Sequence, residues 1–451
     1  MSRPHERYLN YYRQQAEVHE DPRWFIQEWP QIARAWELGT RFSSSDELRL
    51  DFLTALFPHQ EQAGLWEEAV AWQQVGLEIA RRMQLRQVEG ALLNNLGIAY
   101  RQLGHIVQAA SCHEQSLQLR RELGDQSGIA SCLNNMGLVR QRQSRYQEAV
   151  QLHRQSQAIC REMGDDGGLA ISLCNLGSCH AELGEMETAV HLYQEALAIE
   201  RARQNQDTER AILNNLGTIY TILGQLRQAT DIYQQALGMA QERGDRLSEA
   251  NALINLGVIF QRTDQITDAV HCYEKALDIS RRLQHKTNEL SCLTNLGLVY
   301  IHAGHYARSA DYQRQALALA RTLGDRRREG AILNKLGHAY RNTGQFKAAA
   351  DLYQQSLDIA QAVGDRMGAA NATGNLAIVY HRLAAYEQAI AHYQEQLTLV
   401  QAIGDRRGEE NALGNLGLLY SDLKRYEEAL TLFAQRLRIA REIGDRQGEA
   451  A

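Results

Sequence analysis

A short motif, Asn-Leu-Gly or a close variant of it, returns every 40 residues along most of this 451-residue chain. No insertion or deletion interrupts the series of its asparagines: Asn95, Asn135, Asn175, Asn215, Asn255, Asn295, Asn375 and Asn415. Lys335 replaces the one missing asparagine, and Ala377 replaces the one missing glycine. A fixed period of this kind indicates stacked repeats that share a continuous core. We therefore predict nine full repeats over residues 85–444.

Each repeat is predicted to form two helices. In the repeat that opens at Gly244, apolar residues recur at helical spacing over residues 247–263 and again over residues 266–283. The tripeptide Gly-Asp-Arg recurs at the repeat boundaries, and its glycine suits the left-handed conformation that follows a helix. The next residue, Asp245, can accept hydrogen bonds from the free N–H groups of the following helix. The predicted unit is an antiparallel helical hairpin.

Glycine also recurs inside the first helix, at Gly257 and the equivalent positions. A glycine there costs about 1 kcal/mol relative to alanine, so a packing reason is expected. We predict a close approach of the paired helix, with the small residue Ala269 opposite Gly257.

The composition agrees with an all-α fold. All four prolines precede residue 59, which leaves the repeats free to form uninterrupted helices. The net charge of −6 is small for this length, and we expect no nucleic-acid or membrane partner. The seven cysteines contain no Cys-x-x-Cys pair and fall at positions predicted to be buried, which favours a reducing compartment. No secretory signal is recognisable, so a cytoplasmic location is expected.

The spacing Leu93-x-x-Leu96-Gly97-x-x-Tyr100, followed by a second helix with alanine and tyrosine at fixed positions, resembles the tetratricopeptide repeat. A Gly-Asp-Arg turn stands where the common, shorter form ends in proline. In this the chain is similar to the long-repeat subfamily of kinesin light chain, animal spindle-orientation adaptors and bacterial regulators. The resemblance implies a right-handed superhelical solenoid of antiparallel helix pairs. It also implies a concave groove, lined by first helices, that holds an extended peptide or a partner helix.

The two ends of the chain depart from the period. Residues 1–44 do not fit the repeat phase and are interpreted as an N-terminal helical cap. Residues 45–84 match the phase weakly and are predicted to form a divergent repeat. Residues 445–451 match the start of a further first helix. We expect the natural protein to continue there, because the last second helix otherwise lacks a neighbour.

Two sets of polar residues form the candidate peptide-binding site. The first is the asparagine series, here called the amide row, because an amide can donate to and accept from a peptide backbone. The same amides suit hydrogen bonds between neighbouring helices, an alternative that the sequence leaves open. The second set is cationic and favours an acidic ligand, although charge rows are often only solvated surface: Arg101, Arg142, Arg262, Lys335, Arg341 and Arg382.

The function expected from these features is a non-enzymatic scaffold that binds an extended, acidic peptide or a partner helix. No catalytic, cofactor-binding or metal-ligating motif stands out, and neither a cofactor nor a metal is expected. One alternative is the sensor arm of a bacterial signal-transducing NTPase or effector system whose catalytic domain lies outside this chain. The other is a structural solenoid that self-associates through its C-terminal end.

Overall fold

In a computed structural model, the chain is described for residues 3–19, 22–42 and 44–445. These residues form 22 α-helices and no β-strand, which confirms the all-α prediction. The chain divides into two compact units, Met1–Gln225 and Leu226–Ala451.

The first unit contains eleven helices among its described residues: α1 (Pro4–Val18), α2 (Pro22–Arg41), α3 (Asp46–Ala63), α4 (Trp66–Arg82), α5 (Arg86–Gln102), α6 (Ile106–Leu123), α7 (Gln126–Arg142), α8 (Tyr146–Met163), α9 (Asp166–Glu182), α10 (Met186–Ala202) and α11 (Gln206–Ile222). From α3 onward each helix packs against the next, so the predicted hairpins are present and stacked in chain order.

The second unit likewise contains eleven described helices: α12 (Leu226–Glu242), α13 (Arg246–Arg262), α14 (Ile266–Arg282), α15 (Lys286–His302), α16 (Tyr306–Thr322), α17 (Arg326–Asn342), α18 (Phe346–Ala362), α19 (Arg366–Arg382), α20 (Tyr386–Ile403), α21 (Arg406–Asp422) and α22 (Tyr426–Ile443). Here too each helix packs against its successor. Every helix from α5 to α22 spans 17 or 18 residues, in keeping with the undisturbed 40-residue period.

The N-terminal residues add a further pair of helices to the first unit. Helices α1 and α2 contact each other and both contact α3. Their shared core is aromatic: Trp36 stacks on Trp72 with ring centroids 5.2 Å apart, and Phe25 and Phe52 are fully buried. At the other end of the chain, residues 446–451 of the predicted further helix lie outside the described residues.

The boundary between repeats has the predicted turn. Gly244 is left-handed with φ 68°. The side chain of Asp245 then accepts a hydrogen bond of 3.1 Å from the backbone N–H of Ser248. Where this tripeptide is lost, Gln284 takes the left-handed conformation, and Nδ1 of His285 accepts from the N–H of Asn288 at 3.3 Å. The turn geometry therefore survives the loss of the glycine and the aspartate.

The arginine of the same tripeptide forms an ion pair across the repeat boundary. Arg326 donates to Glu329 at 2.6 Å, and Arg321, at the end of the preceding helix, donates to the same carboxylate at 2.8 Å. Glu329 is buried, whereas both arginine side chains are more than half exposed, so water screens these ion pairs in part. This junction links the last turn of one hairpin to the first turn of the next.

An equivalent junction at Glu289 has a measurable electrostatic consequence. Burial raises the pKa of this carboxyl group, but hydrogen bonds and charges from Lys286 and Arg281 outweigh burial and hold the pKa below its ordinary value. The ionised form is therefore favoured in the folded protein.

The prediction that Ala269 faces Gly257 is wrong. The ring of Tyr273 lies there instead, and a Cβ atom on the glycine would come within 2.6 Å of ring carbon Cε1. Because glycine has no side chain, the ring can fill the space that a side chain would need. The same relationship recurs, with different partners, at six further pairs: Gly97–His113, Gly137–His153, Gly177–Tyr193, Gly297–Gln313, Gly337–Tyr353 and Gly417–Phe433.

Candidate peptide-binding face

The first helices of neighbouring repeats touch one another as well as their own second helices. In the first unit α5 contacts α7 and α7 contacts α9. In the second unit α13, α15, α17, α19 and α21 contact one another in order. We call the surface that these helices form within each unit the first-helix face. It carries all of the residues predicted to bind a peptide except Asn215, which lies on α11.

The amide row, apart from Asn215, lies on this face, and the side chains of all its members are half-buried. Three of its members donate to an asparagine of the preceding repeat, 41 positions earlier: Asn135 to Asn94 at 3.0 Å, Asn175 to Asn134 at 2.9 Å and Asn375 to Asn334 at 3.1 Å. These three amides therefore join first helices to each other, which is the alternative that the sequence left open.

The residue that lies 41 positions before a row asparagine decides whether the hydrogen bond between first helices forms. Where Ile254 or Gly374 stands in its place, no amide oxygen is available, and Asn295 and Asn415 have no hydrogen-bond partner among the described residues. The same holds for Asn95 and Asn215, whereas Asn255 is in contact with a partner. The row thus contains amides tied to the fold and amides that are available to a ligand.

The bonded amides of the first unit connect to the core. Oδ1 of Asn94 lies 3.1 Å from Nδ1 of His113 while it accepts from Asn135. One repeat later, Oδ1 of Asn134 lies 2.7 Å from Nδ1 of His153. Both histidines are fully buried, at the position where Tyr273 lies in a later repeat. This network explains why a polar row sits so close to an apolar interior.

The predicted cationic row separates into two positions of the helix. Arg101 and Arg341 occupy the same position of the repeat, and both are half-buried. The next position of the repeat carries three exposed arginines: Arg142, Arg262 and Arg382. Consecutive residues of an α-helix point about 100° apart, since one turn takes 3.6 residues. The arginines therefore do not form one continuous line.

Lys335 is the clearest cationic site on the face in the second unit. Its side chain is half-buried, and burial lowers the pKa of its amine. No acidic side chain in residues 3–19, 22–42 and 44–445 pairs with it. An ammonium group that has lost part of its hydration without gaining a counter-charge is a position where an anionic ligand is favoured.

Two pockets open on either side of Lys335. One, of about 320 Å³, is lined by Asn295 and Thr294 of the preceding repeat. The other, of about 480 Å³, is lined by Asn371 and Asn375 of the following repeat. The amide oxygen of Asn375 also accepts from Arg341 at 3.2 Å. Lys335 thus lines both cavities, while Asn295 lines one of them and Asn375 the other.

No group of three histidine, cysteine or acidic side chains that would hold a metal ion occurs among the described residues. None of the helices in the described part of the chain combines the length and the apolar character needed to cross a membrane.

Stacked helix pairs in strict register, with a polar face along the first helix of each pair, define a helical-repeat protein. Models described as "Tetratricopeptide repeat" match residues 128–202, 208–282, 248–322, 289–362 and 368–442, and a second such model matches residues 90–125. Because these matches cover more than half of the chain, the protein belongs to the tetratricopeptide repeat family. Its place in the long-repeat subfamily stays a prediction.

Solved structures show the same fold at low identity. A signal-transduction ATPase with numerous domains (STAND), with a tetratricopeptide repeat sensor, from Pyrococcus horikoshii is 16% identical, with a TM-score of 0.54 over 77% of this chain and 53% of that chain. The present chain thus spans about half of that protein. The apo quorum sensor NprR from B. thuringiensis is 16% identical, with a TM-score of 0.54 over 78% and 97%. Aspartyl phosphate phosphatase F from Bacillus subtilis is 14% identical, with a TM-score of 0.54 over 78% and 93%. A comparison with curated proteins finds no match.

Proposed function

We propose that this protein is a non-enzymatic interaction module that binds an extended, acidic segment of a partner protein along the first-helix face of its second unit. The observation that carries the proposal is Lys335, a half-buried cation without an acidic partner in the described chain, between two amide-lined pockets. A carboxylate seated beside it restores charge balance in a site that is partly shielded from water.

The amides on either side supply the second half of the recognition. Asn295 has no hydrogen-bond partner among the described residues, so its donor and its acceptor are both available to a peptide unit. Asn375 uses its amide for the bond to Asn334, and its role is to hold α19 against α17. We therefore assign backbone recognition to Asn295 and charge recognition to Lys335.

Family membership and the structural neighbours support an interaction or sensory role. Proteins named as a quorum sensor and as carrying a repeat sensor share the fold, although their identity of 16% supports no particular ligand. A sensor arm of a larger signalling system is the second candidate, favoured by the STAND protein, of which this chain covers only a part. We further propose a cytoplasmic location, which the seven free cysteines support.

The test is fluorescence anisotropy with labelled hexaglutamate and hexalysine as extended probes of opposite charge. Lys335→Asn restores the residue that other repeats carry at this position, so the fold should tolerate it. Lys347→Asn removes the same charge from an exposed position on α18 and serves as the matched control. We expect hexaglutamate to bind in preference to hexalysine, and the Lys335 variant to lose at least tenfold in affinity. Equal affinities for the two lysine variants would contradict the proposal.

A further inference from the structure

A separate pocket lies on the first-helix face of the first unit, formed by three successive repeats. It has a volume of about 360 Å³ and is lined by Arg101 of α5, by Leu138, Gln141 and Arg142 of α7, by Tyr146 of α8, and by Ser178 and Glu182 of α9. It shares no residue with the pockets around Lys335.

Two arginines, Arg101 and Arg142, meet at this pocket. Neither Arg101 nor Arg142 forms an ion pair with an acidic side chain among the described residues. Nε of Arg101 is buried and has no hydrogen-bond partner. Burial and the neighbouring charge of Arg142 lower the pKa of Arg101, and the carboxylate of Glu61 only partly offsets them. The folded chain thus holds two like charges together at one cavity.

The remaining polar groups divide into those already engaged and those available. Gln141 donates to Sγ of Cys179 at 2.8 Å, and the hydroxyl of Ser178 lies 2.7 Å from that of Tyr193, so both are committed to the fold. The Tyr146 hydroxyl has no hydrogen-bond partner in the described part of the chain. Glu182 is exposed at the rim and pairs with neither arginine.

We propose that this pocket binds a phosphate monoester, held by the guanidinium groups of Arg101 and Arg142 and by the hydroxyl of Tyr146. A phosphate monoester carries nearly two negative charges at neutral pH and three acceptor oxygens, which matches two unpaired guanidinium groups better than a single carboxylate does. Planar guanidinium groups bind phosphate oxygens in pairs. The site lies in the other unit from Lys335 and does not depend on the function proposed above.

The experiment is isothermal titration of the full chain with three acetylated and amidated tripeptides, Ala-phosphoserine-Ala, Ala-Glu-Ala and Ala-Ser-Ala, and with inorganic phosphate. We expect the phosphopeptide to bind at least tenfold more tightly than either other peptide. Arg142→Gln, an exposed change that should not disturb folding, and Arg101→Gln should each weaken phosphopeptide binding at least tenfold. Glu182→Gln removes the one negative charge at the rim and should strengthen binding several-fold.

The outcomes are distinguishable from one another. Inorganic phosphate binding as tightly as the phosphopeptide would overturn the assignment to a monoester and identify free phosphate as the ligand of this site. Unchanged phosphopeptide affinity in Lys335→Asn is expected, since that residue belongs to the other unit. Equal affinities for the three peptides would overturn the proposal. So would normal phosphopeptide binding by Arg142→Gln, or weaker binding by Glu182→Gln.

Discussion

The ring of Tyr273 packs directly on Gly257, at a distance that leaves no room for a Cβ atom on the glycine. The contact joins the two helices of one hairpin, and glycines at the equivalent position, such as Gly337 against Tyr353, make the same contact. A residue that weakens an isolated helix therefore stabilises the pair of helices. The retention of glycine at this position is explained by packing between helices rather than by flexibility.

Gly257→Ala should destabilise the protein by about 1–3 kcal/mol, because the new methyl group overpacks against Tyr273, and this loss exceeds the gain of about 1 kcal/mol in helix propensity. Gly238→Ala is the matched control. It lies within α12, where a Cβ atom would meet nothing within 4 Å, so only the propensity gain remains. Urea unfolding followed by circular dichroism measures both. Similar shifts for the two variants would contradict the packing argument.

Asn135→Ala should cost about 1 kcal/mol, since it removes a hydrogen bond to the buried Asn94 that links two repeats. Asn95→Ala, at the same position of the preceding repeat, removes an amide with no partner among the described residues and should change stability by less than about 0.5 kcal/mol. The difference between their unfolding free energies is the test. If Asn95→Ala were as costly as Asn135→Ala, the division of the amide row would be wrong.

His113 and His153 should make the first unit sensitive to acid. Burial lowers both pKa values to about 4, with Arg101 adding to the effect at His113. The pKa of each histidine is lower in the folded state than in the unfolded state. Their contribution to the free energy of unfolding is therefore fully present above pH 6.5 and falls as the pH drops towards 4. The loss is about 3 kcal/mol for each histidine.

The variants His113→Gln and His153→Gln, which copy Gln313 at the equivalent position of another repeat, isolate this effect. Stability should be measured by urea unfolding between pH 7 and pH 4. The double variant should lose less stability than the wild type over this range, while carboxyl groups that titrate there contribute equally to both. Parallel pH curves would show that the histidines are not the cause.

Gly374 faces Gln396, and a Cβ atom on this glycine would lie 2.4 Å from the amide nitrogen of the glutamine. In other repeats the two positions carry a larger and a smaller residue, as with Asn334 and Ser356. Gly374→Asn alone should therefore destabilise by overpacking, and adding Gln396→Ser should recover most of the loss. A double-mutant cycle of unfolding free energies measures the coupling. If the changes in unfolding free energy of the two single variants simply added up in the double variant, the two side chains would not be competing for the same space.

The periodic features were predictable from the sequence because the same local pattern recurs in each repeat. Helix spacing, the left-handed glycine and the aspartate cap are properties of a few adjacent residues, and each agreed with the structure at Gly244 and Asp245. The pairing of Gly257 with Tyr273 instead of Ala269 was missed, because helix spacing alone does not say which of two residues one turn apart reaches the partner helix.

The division of the candidate site was also missed, for a different reason. It depends on residues in adjacent repeats, 41 positions apart, which no local pattern connects. One signal was present: the doubled asparagines Asn94-Asn95 and Asn134-Asn135 supply an acceptor in one repeat for a donor in the next. A second signal was the spacing of the arginines: Arg142 lies one residue beyond the position of its repeat that is equivalent to Arg101. This difference separates the two arginine positions, whose burial differs.

Reductive methylation with 13C-formaldehyde, followed by NMR, measures the Lys335 site directly, because the chain contains only five lysines and Lys335→Asn assigns the signal. Burial should hold the pKa of the Lys335 amine below the ordinary value for lysine. Added hexaglutamate should raise that pKa and shift that signal, since a bound carboxylate stabilises the charged amine. A Lys335 signal that titrates at the ordinary pKa of lysine and does not respond to hexaglutamate would contradict the account.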